Sequence, residues 1–199
     1  MTESLRSATA LGRRPSPRRV AGWVVRAPVS VLLLASAGGL ATRNAWFRGL
    51  ESVVAGPVVR FCTSSVVMVR PATDTVFLGL YTPRVYGLTI TPECTSALPI
   101  AALLALAGAV ALPGRFRLPR IGVALLVAAG GMFAVNQLRI VMIAWAAHTW
   151  GAAGYGWTHA TVGSLLILVG IAAAMVAFFV ICGGGTPSAP TPPRTPKGR

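Results

Sequence analysis

The stretch IGVALLVAAGGMFAVNQLRIVMIAW, residues 121–145, decides the fold. No residue from Ile121 to Leu138 is charged, and then Arg139 stands alone in an otherwise apolar run. A helix that crosses a bilayer takes about 20 largely apolar residues, with a range of about 17–25. A span over about 121–146 follows. Working outward, further uncharged segments lie at 27–42, 94–114 and 140–193. They predict spans over about 24–42, 96–112 and 160–182. Arg26 and Pro28 shorten the first of these, and a secretory signal peptide competes for it, since a basic leader precedes a short apolar run. The long leader and the even span count favour an uncleaved helix.

Composition agrees. The chain has 199 residues, 54% of them apolar and only 11% charged, where a soluble domain has about 25% charged. So few charges do not cover a wet surface, which excludes a soluble enzyme. The net charge of +14 raises nucleic-acid binding as an alternative. Position argues against it: Arg6, Arg13, Arg14, Arg18, Arg19 and Arg26 precede the first run, Arg115, Arg117 and Arg120 separate two later ones, and Arg194, Lys197 and Arg199 end the chain. The charges punctuate apolar runs and form no stripe. With four spans, all three clusters share one side, which the positive-inside rule makes cytoplasmic.

The expected architecture is an all-α integral membrane protein of about four transmembrane helices. A basic cytoplasmic tail spans 1–23, the membrane domain 24–182, and a disordered basic Pro/Gly-rich tail 183–199. Residues 43–95 and a loop at 147–159 fall on the extracytoplasmic side. Trp46, Leu50, Val53, Val54, Pro57, Val58 and Phe61 repeat at helical spacing, while Arg48, Glu51, Ser52 and Arg60 fall mostly elsewhere, which predicts an interfacial helix with a kink or break at Pro57. From Thr75 to Thr91, β-branched and aromatic residues flank Thr82-Pro83-Arg84 and predict a short hairpin leading to Cys94. There is no internal repeat.

An ionisable residue at membrane depth is a functional candidate by default, and Arg139 is one. From Ile121 it lies about 27 Å along a helix, at the outer edge of a roughly 30 Å core. Asn136, three residues earlier, shares its face and is placed to orient the guanidinium. The plainer reading is a snorkelling arginine that marks the membrane boundary. Cys94 precedes the second span and His159 the fourth, both on the outer side. A thiolate attacks a carbonyl, a cation steadies the developing charge, and an imidazole moves the proton. Arg139 and His159 would favour the thiolate, and adjacent Glu93 would oppose it. Each residue has a rival explanation: a Cys62-Cys94 disulfide for the thiol, a structural hydrogen bond for either imidazole, and His148 in place of His159. Cys182 reads as a buried thiol or lipidation site at the inner end of the last span. No cluster has zinc spacing and no phosphate-binding glycine loop is present, so no metal or cofactor is expected.

Cys94-Thr95-Ser96 opening an apolar helix, Asn136-Gln-Leu-Arg139-Ile140 in a later one, and His159-Ala-Thr-Val-Gly163 opening the last resemble the exosortase/archaeosortase family of membrane cysteine transpeptidases. The resemblance covers about residues 45–182. It implies Cys94 as nucleophile, Arg139 as oxyanion or substrate-carboxyl stabiliser, and His159 as general acid/base. It also implies secreted or surface substrates carrying a C-terminal sorting signal of short motif, transmembrane helix and basic cluster, cut at the motif and transferred to an acceptor at the membrane or cell surface. Many members follow the cysteine with Ser-Gly or Ala-Gly. Here Thr95-Ser96 follows, which puts the entry to that helix in question. The readings from other classes are a non-catalytic scaffold with a Cys62-Cys94 disulfide, and a small transporter subunit in which Arg139 binds an anion.

Overall fold

The computed structural model describes residues 17–184. The expected basic tails therefore lie largely outside the described residues, although residues 17–23, counted with the N-terminal tail, are already helical. Along the chain come α1 (Pro17–Thr42), α2 (Ala45–Thr63), β1 (Val67–Arg70), β2 (Thr75–Leu78), β3 (Tyr86–Thr89), α3 (Ala97–Ala111), α4 (Leu118–Trp157) and α5 (Gly163–Gly183), with a π-helical turn at Thr158–Val162 between the last two.

By length and composition, two helical runs can cross a membrane: Trp23–Thr42 and the continuous stretch Leu118–Gly183. The expected count of four separate spans is not met on that measure, for two physical reasons. Helix α3 has 15 residues, about 22 Å of rise, less than a roughly 30 Å hydrocarbon core. The expected loop at 147–159 is helical instead, so two expected spans merge into one run. That run is not one rod. Gly151 adopts φ 66 and ψ −146, a conformation that L side chains rarely adopt, and kinks the helix there. Beyond it α5 packs back along α4, with Gly170 against Val135 and Gly163 against Arg139. These pairs are nearly equidistant in sequence from Gly151, as an antiparallel hairpin requires.

Helix α1 lies beside α3 in the same antiparallel sense. The Ser30 hydroxyl donates to the Gly108 carbonyl, and Arg26 donates to the Ala111 and Phe116 carbonyls at 3.1 and 3.0 Å. Arg26 thus satisfies a carbonyl that the end of α3 leaves open and a second one in the turn before α4. At this end Leu103, Ala107, Ile121, Ala124, Phe178 and Cys182 form a buried cluster joining α3, α4 and α5. Arg115, Arg117 and Arg120 sit in the adjoining turn and the start of α4.

At the other end lies the small sheet. The expected hairpin is present as antiparallel β2 and β3, and β1 adds a third strand in the order β1-β2-β3. The fold is therefore mostly helical with a small sheet, not all-α. Strand β1 covers Val67–Arg70, before the stretch from Thr75 to Thr91 in which the β-branched and aromatic residues cluster. Val59 of α2, Val76, Leu78 and Leu88 of the sheet, and Ile143 and Ala144 of α4 pack together.

Helix α2 forms where the apolar spacing predicted, and it runs through Pro57 without a break. Its two faces are instructive. Trp46, Leu50, Val53, Val58 and Phe61, the last 85% exposed, point away from the protein. Gly49, Glu51, Ser52, Ala55, Gly56, Val59 and Thr63 point inward. Apolar side out and small or polar side in is the arrangement of a helix bathed in lipid.

Candidate active site

Strand β3 and the turn after it deliver Cys94. Ile90 N–H donates to the Asp74 carbonyl at 2.8 Å and prolongs the pairing by one residue, and Cys94 N–H closes a turn onto the Thr91 carbonyl at 2.9 Å. The Cys94 side chain then packs with Ala55, Ile90 and Ile140 and is 9% exposed. In the same turn, the Thr91 side chain chiefly holds the exposed Glu93 carboxyl below its ordinary range.

His159 arrives on the π-helical turn. Such a turn inserts an extra residue into a helix and often marks a functional site. Its Nε2 stands 3.0 Å from Cys94 Sγ. In one protonation state the thiol donates to the imidazole; in the other the imidazole N–H donates to the thiolate. The ring stacks on Tyr155 at 5.3 Å between centroids, 21° from parallel. Leu88, Ile90, Cys94, Ile140, Tyr155 and His159 line one depression. His148, the rival imidazole, is directed elsewhere: it is exposed and its Nδ1 lies 3.4 Å from Ser65 Oγ.

Arg139 is 6% exposed and lies on α4 next to Ile140 of that depression. A Cβ at Gly163 would stand 2.8 Å from Arg139 Nε and 3.0 Å from the Thr158 carbonyl. Only glycine leaves the guanidinium this path along the His159 turn. Arg139 Nε has no hydrogen-bond partner, and Arg139 takes no part in the one ion pair among the described residues, Arg48 with Asp74. The Arg139 side chain is largely buried, its Nε is unpaired, and it runs against the turn that carries His159.

One expectation and one rival reading need correction. Asn136 does not orient Arg139 by a hydrogen bond; its Nδ2 donates to Glu51 Oε1 at 2.7 Å. Cys62 and Cys94 are not joined: both are free, Cys62 exposed on α2 and Cys94 buried. Cys182 is buried at the opposite end of the helices.

The structure also places residues that the sequence did not single out. Glu51 is fully buried, and its Oε1 accepts from Ser96 N–H at 2.9 Å and Ser96 Oγ at 2.7 Å as well as from Asn136. Thr95 Oγ1 accepts from Ala97 N–H at 3.1 Å. The Thr95-Ser96 pair therefore finishes the start of α3 with side-chain hydrogen bonds. The available signal for Glu51 was an acidic residue in register with the small residues Ala55 and Val59 one and two turns on.

The family model for transmembrane exosortases matches residues 72–177, more than half of the chain. No curated protein and no solved structure matches it. The matched residues include Cys94, Arg139 and His159, and they run from the sheet through the helical hairpin that build the site. The chain is a member of the transmembrane exosortase family.

Proposed function

We propose that this protein is a membrane-embedded cysteine protease/transpeptidase that cleaves the C-terminal sorting signals of secreted or surface proteins and transfers them to an acceptor. The observation that carries the reading is the 3.0 Å approach of Cys94 Sγ to His159 Nε2, from segments 65 residues apart. This is the nucleophile-base geometry of covalent acyl transfer. Cys94 thiolate attacks the carbonyl carbon of the scissile peptide bond, a C–S bond forms, and Arg139 steadies the oxyanion. His159 gives its proton to the departing amine as the C–N bond breaks, leaving a thioester. An acceptor nucleophile then attacks the thioester, His159 takes its proton, and the C–S bond breaks to release the Cys94 thiolate beside the imidazolium, as at the start.

In the proposed arrangement the chain crosses the membrane four times, by α1, by the short α3 extended by the uncharged residues on either side of it (94–114), by the first part of α4, and by α5. The end holding Arg26, Arg115, Arg117 and Arg120 faces the cytoplasm by the positive-inside rule, and the Cys94 end faces outward. The large apolar side chains exposed on α1, α4 and α5, such as Leu32, Leu126 and Leu168, favour lipid surroundings. The test is processing of a co-expressed target that ends in a sorting signal. Cys94→Ala should abolish the shift to the cut form while the protein remains inserted and abundant. Continued cutting by that variant would remove the reading.

A further inference from the structure

Glu51 is one of only four acidic residues in the chain, and it is wholly buried on a helix whose apolar side faces out. Burying a carboxylate among apolar neighbours is costly unless donors surround it, and even then an apolar substitute is often as stable. Three donors converge on Oε1: Ser96 N–H, Ser96 Oγ–H and Asn136 Nδ2–H. Two belong to the residue two positions after Cys94. The third belongs to the residue three positions before Arg139, one helical turn away. A single oxygen therefore joins α2 to the segment that carries the thiol and to the turn that carries the guanidinium.

The surroundings are polar beyond what stability asks for. Among the described residues, the buried side-chain polar atoms without a partner are Glu51 Oε2, Asn136 Oδ1, both amide atoms of Gln137, and Arg139 Nε. All five belong to Glu51 and one stretch of α4. Native proteins pair more than about nine in ten buried polar groups, and concentrated exceptions point to a role in the site. Glu51 and Asn136 themselves leave the reacting atoms to others: neither bonds to Cys94 or His159.

We propose that Glu51 is a positioning residue that fixes Cys94 and Arg139 relative to each other through Ser96 and Asn136; this rests on the reading of Cys94 as the nucleophile. Glu51 holds the thiol turn while His159 meets it from the other side. Loss of the carboxylate frees the Cys94 turn from α4, and a displacement of about 1 Å in such a site costs roughly 100-fold in rate. Glutamine at this position keeps an oxygen for all three donors.

The experiment uses the full chain in lipid vesicles, with Cys62→Ser and Cys182→Ser so that Cys94 is the only thiol. Two quantities are read: the rate of target processing and the rate at which N-ethylmaleimide alkylates Cys94. Glu51→Ala should lower processing by about 100-fold and speed alkylation, because the turn that shields the thiol is released. Glu51→Gln should keep processing within about tenfold of the parent and leave alkylation unchanged. Parental rates of both processing and alkylation in Glu51→Ala would overturn the proposal. So would a Glu51→Ala variant that loses processing with alkylation unaltered, or a Glu51→Gln variant as inactive as Glu51→Ala. If the parent itself cuts no target, the proposed function fails, and the alkylation comparison still decides whether Glu51 holds the Cys94 turn.

Discussion

Arg26 and Arg139 are the same side chain at opposite ends of the helices, and their surroundings differ: one is engaged at a helix end, the other is placed for the chemistry we propose. Arg26 spends its donors on the Ala111 and Phe116 carbonyls, where α3 ends and the chain turns into α4. It completes a helix terminus. Arg139 is buried with its Nε unpaired, beside a cysteine and a histidine in contact. In the proposed reaction such a partly desolvated cation would steady the negative charge that develops on the substrate. The two arginines thus differ in unmet hydrogen-bonding capacity, and it is this difference, not depth, on which the proposed role of Arg139 rests.

Variants at the two ends put that contrast at risk. The largest effect belongs to Arg139→Lys, which keeps the charge and loses the planar fork of donors. Processing should fall by about 100-fold or more, with Cys94 still free and the protein still inserted. A lysine variant near parental rate would reduce Arg139 to a generic charge. Next comes Gly163→Ala, whose added methyl meets Arg139 and the Thr158 carbonyl. Overpacking of this kind costs about 1–3 kcal/mol, and processing should drop by about tenfold or more while the hairpin persists. The smallest effect on chemistry belongs to Arg26→Ala. Resistance to unfolding in detergent should fall by about 1–3 kcal/mol, and processing per folded molecule should stay at the parental rate. Equal loss of processing in Arg26→Ala and Arg139→Lys would erase the distinction.

Much of this organisation was legible in the sequence, and the rest was hidden for definite reasons. Cys94, Arg139 and His159 stand at the ends of uncharged runs, so span-length arithmetic brings them to one level before any coordinate is known. The β2-β3 hairpin followed from the β-branched residues around Thr82-Pro83-Arg84. The helical stretch at 147–159 was missed because Gly151-Ala-Ala-Gly154-Tyr-Gly156 has the composition of a loop; one left-handed glycine makes the turn, and helical bonding resumes at once. Glu51 was missed because periodicity was used to find the apolar face of α2. In lipid that face looks away from the protein, and the small and polar face packs inward. The partner of Asn136 was misassigned for the same reason: helical spacing relates it to Arg139, but its hydrogen bond crosses to a residue 85 positions earlier.

The central claim is that Cys94 becomes covalently acylated while His159 and Arg139 assist. Its most direct test is the intact mass of the purified protein after incubation with a peptide carrying a sorting signal and no acceptor. The account predicts an added mass equal to the N-terminal part of the peptide, located on Cys94, released by hydroxylamine, and absent from Cys94→Ala. Cleavage of the peptide with no such adduct, or the same adduct on Cys94→Ala, would contradict it.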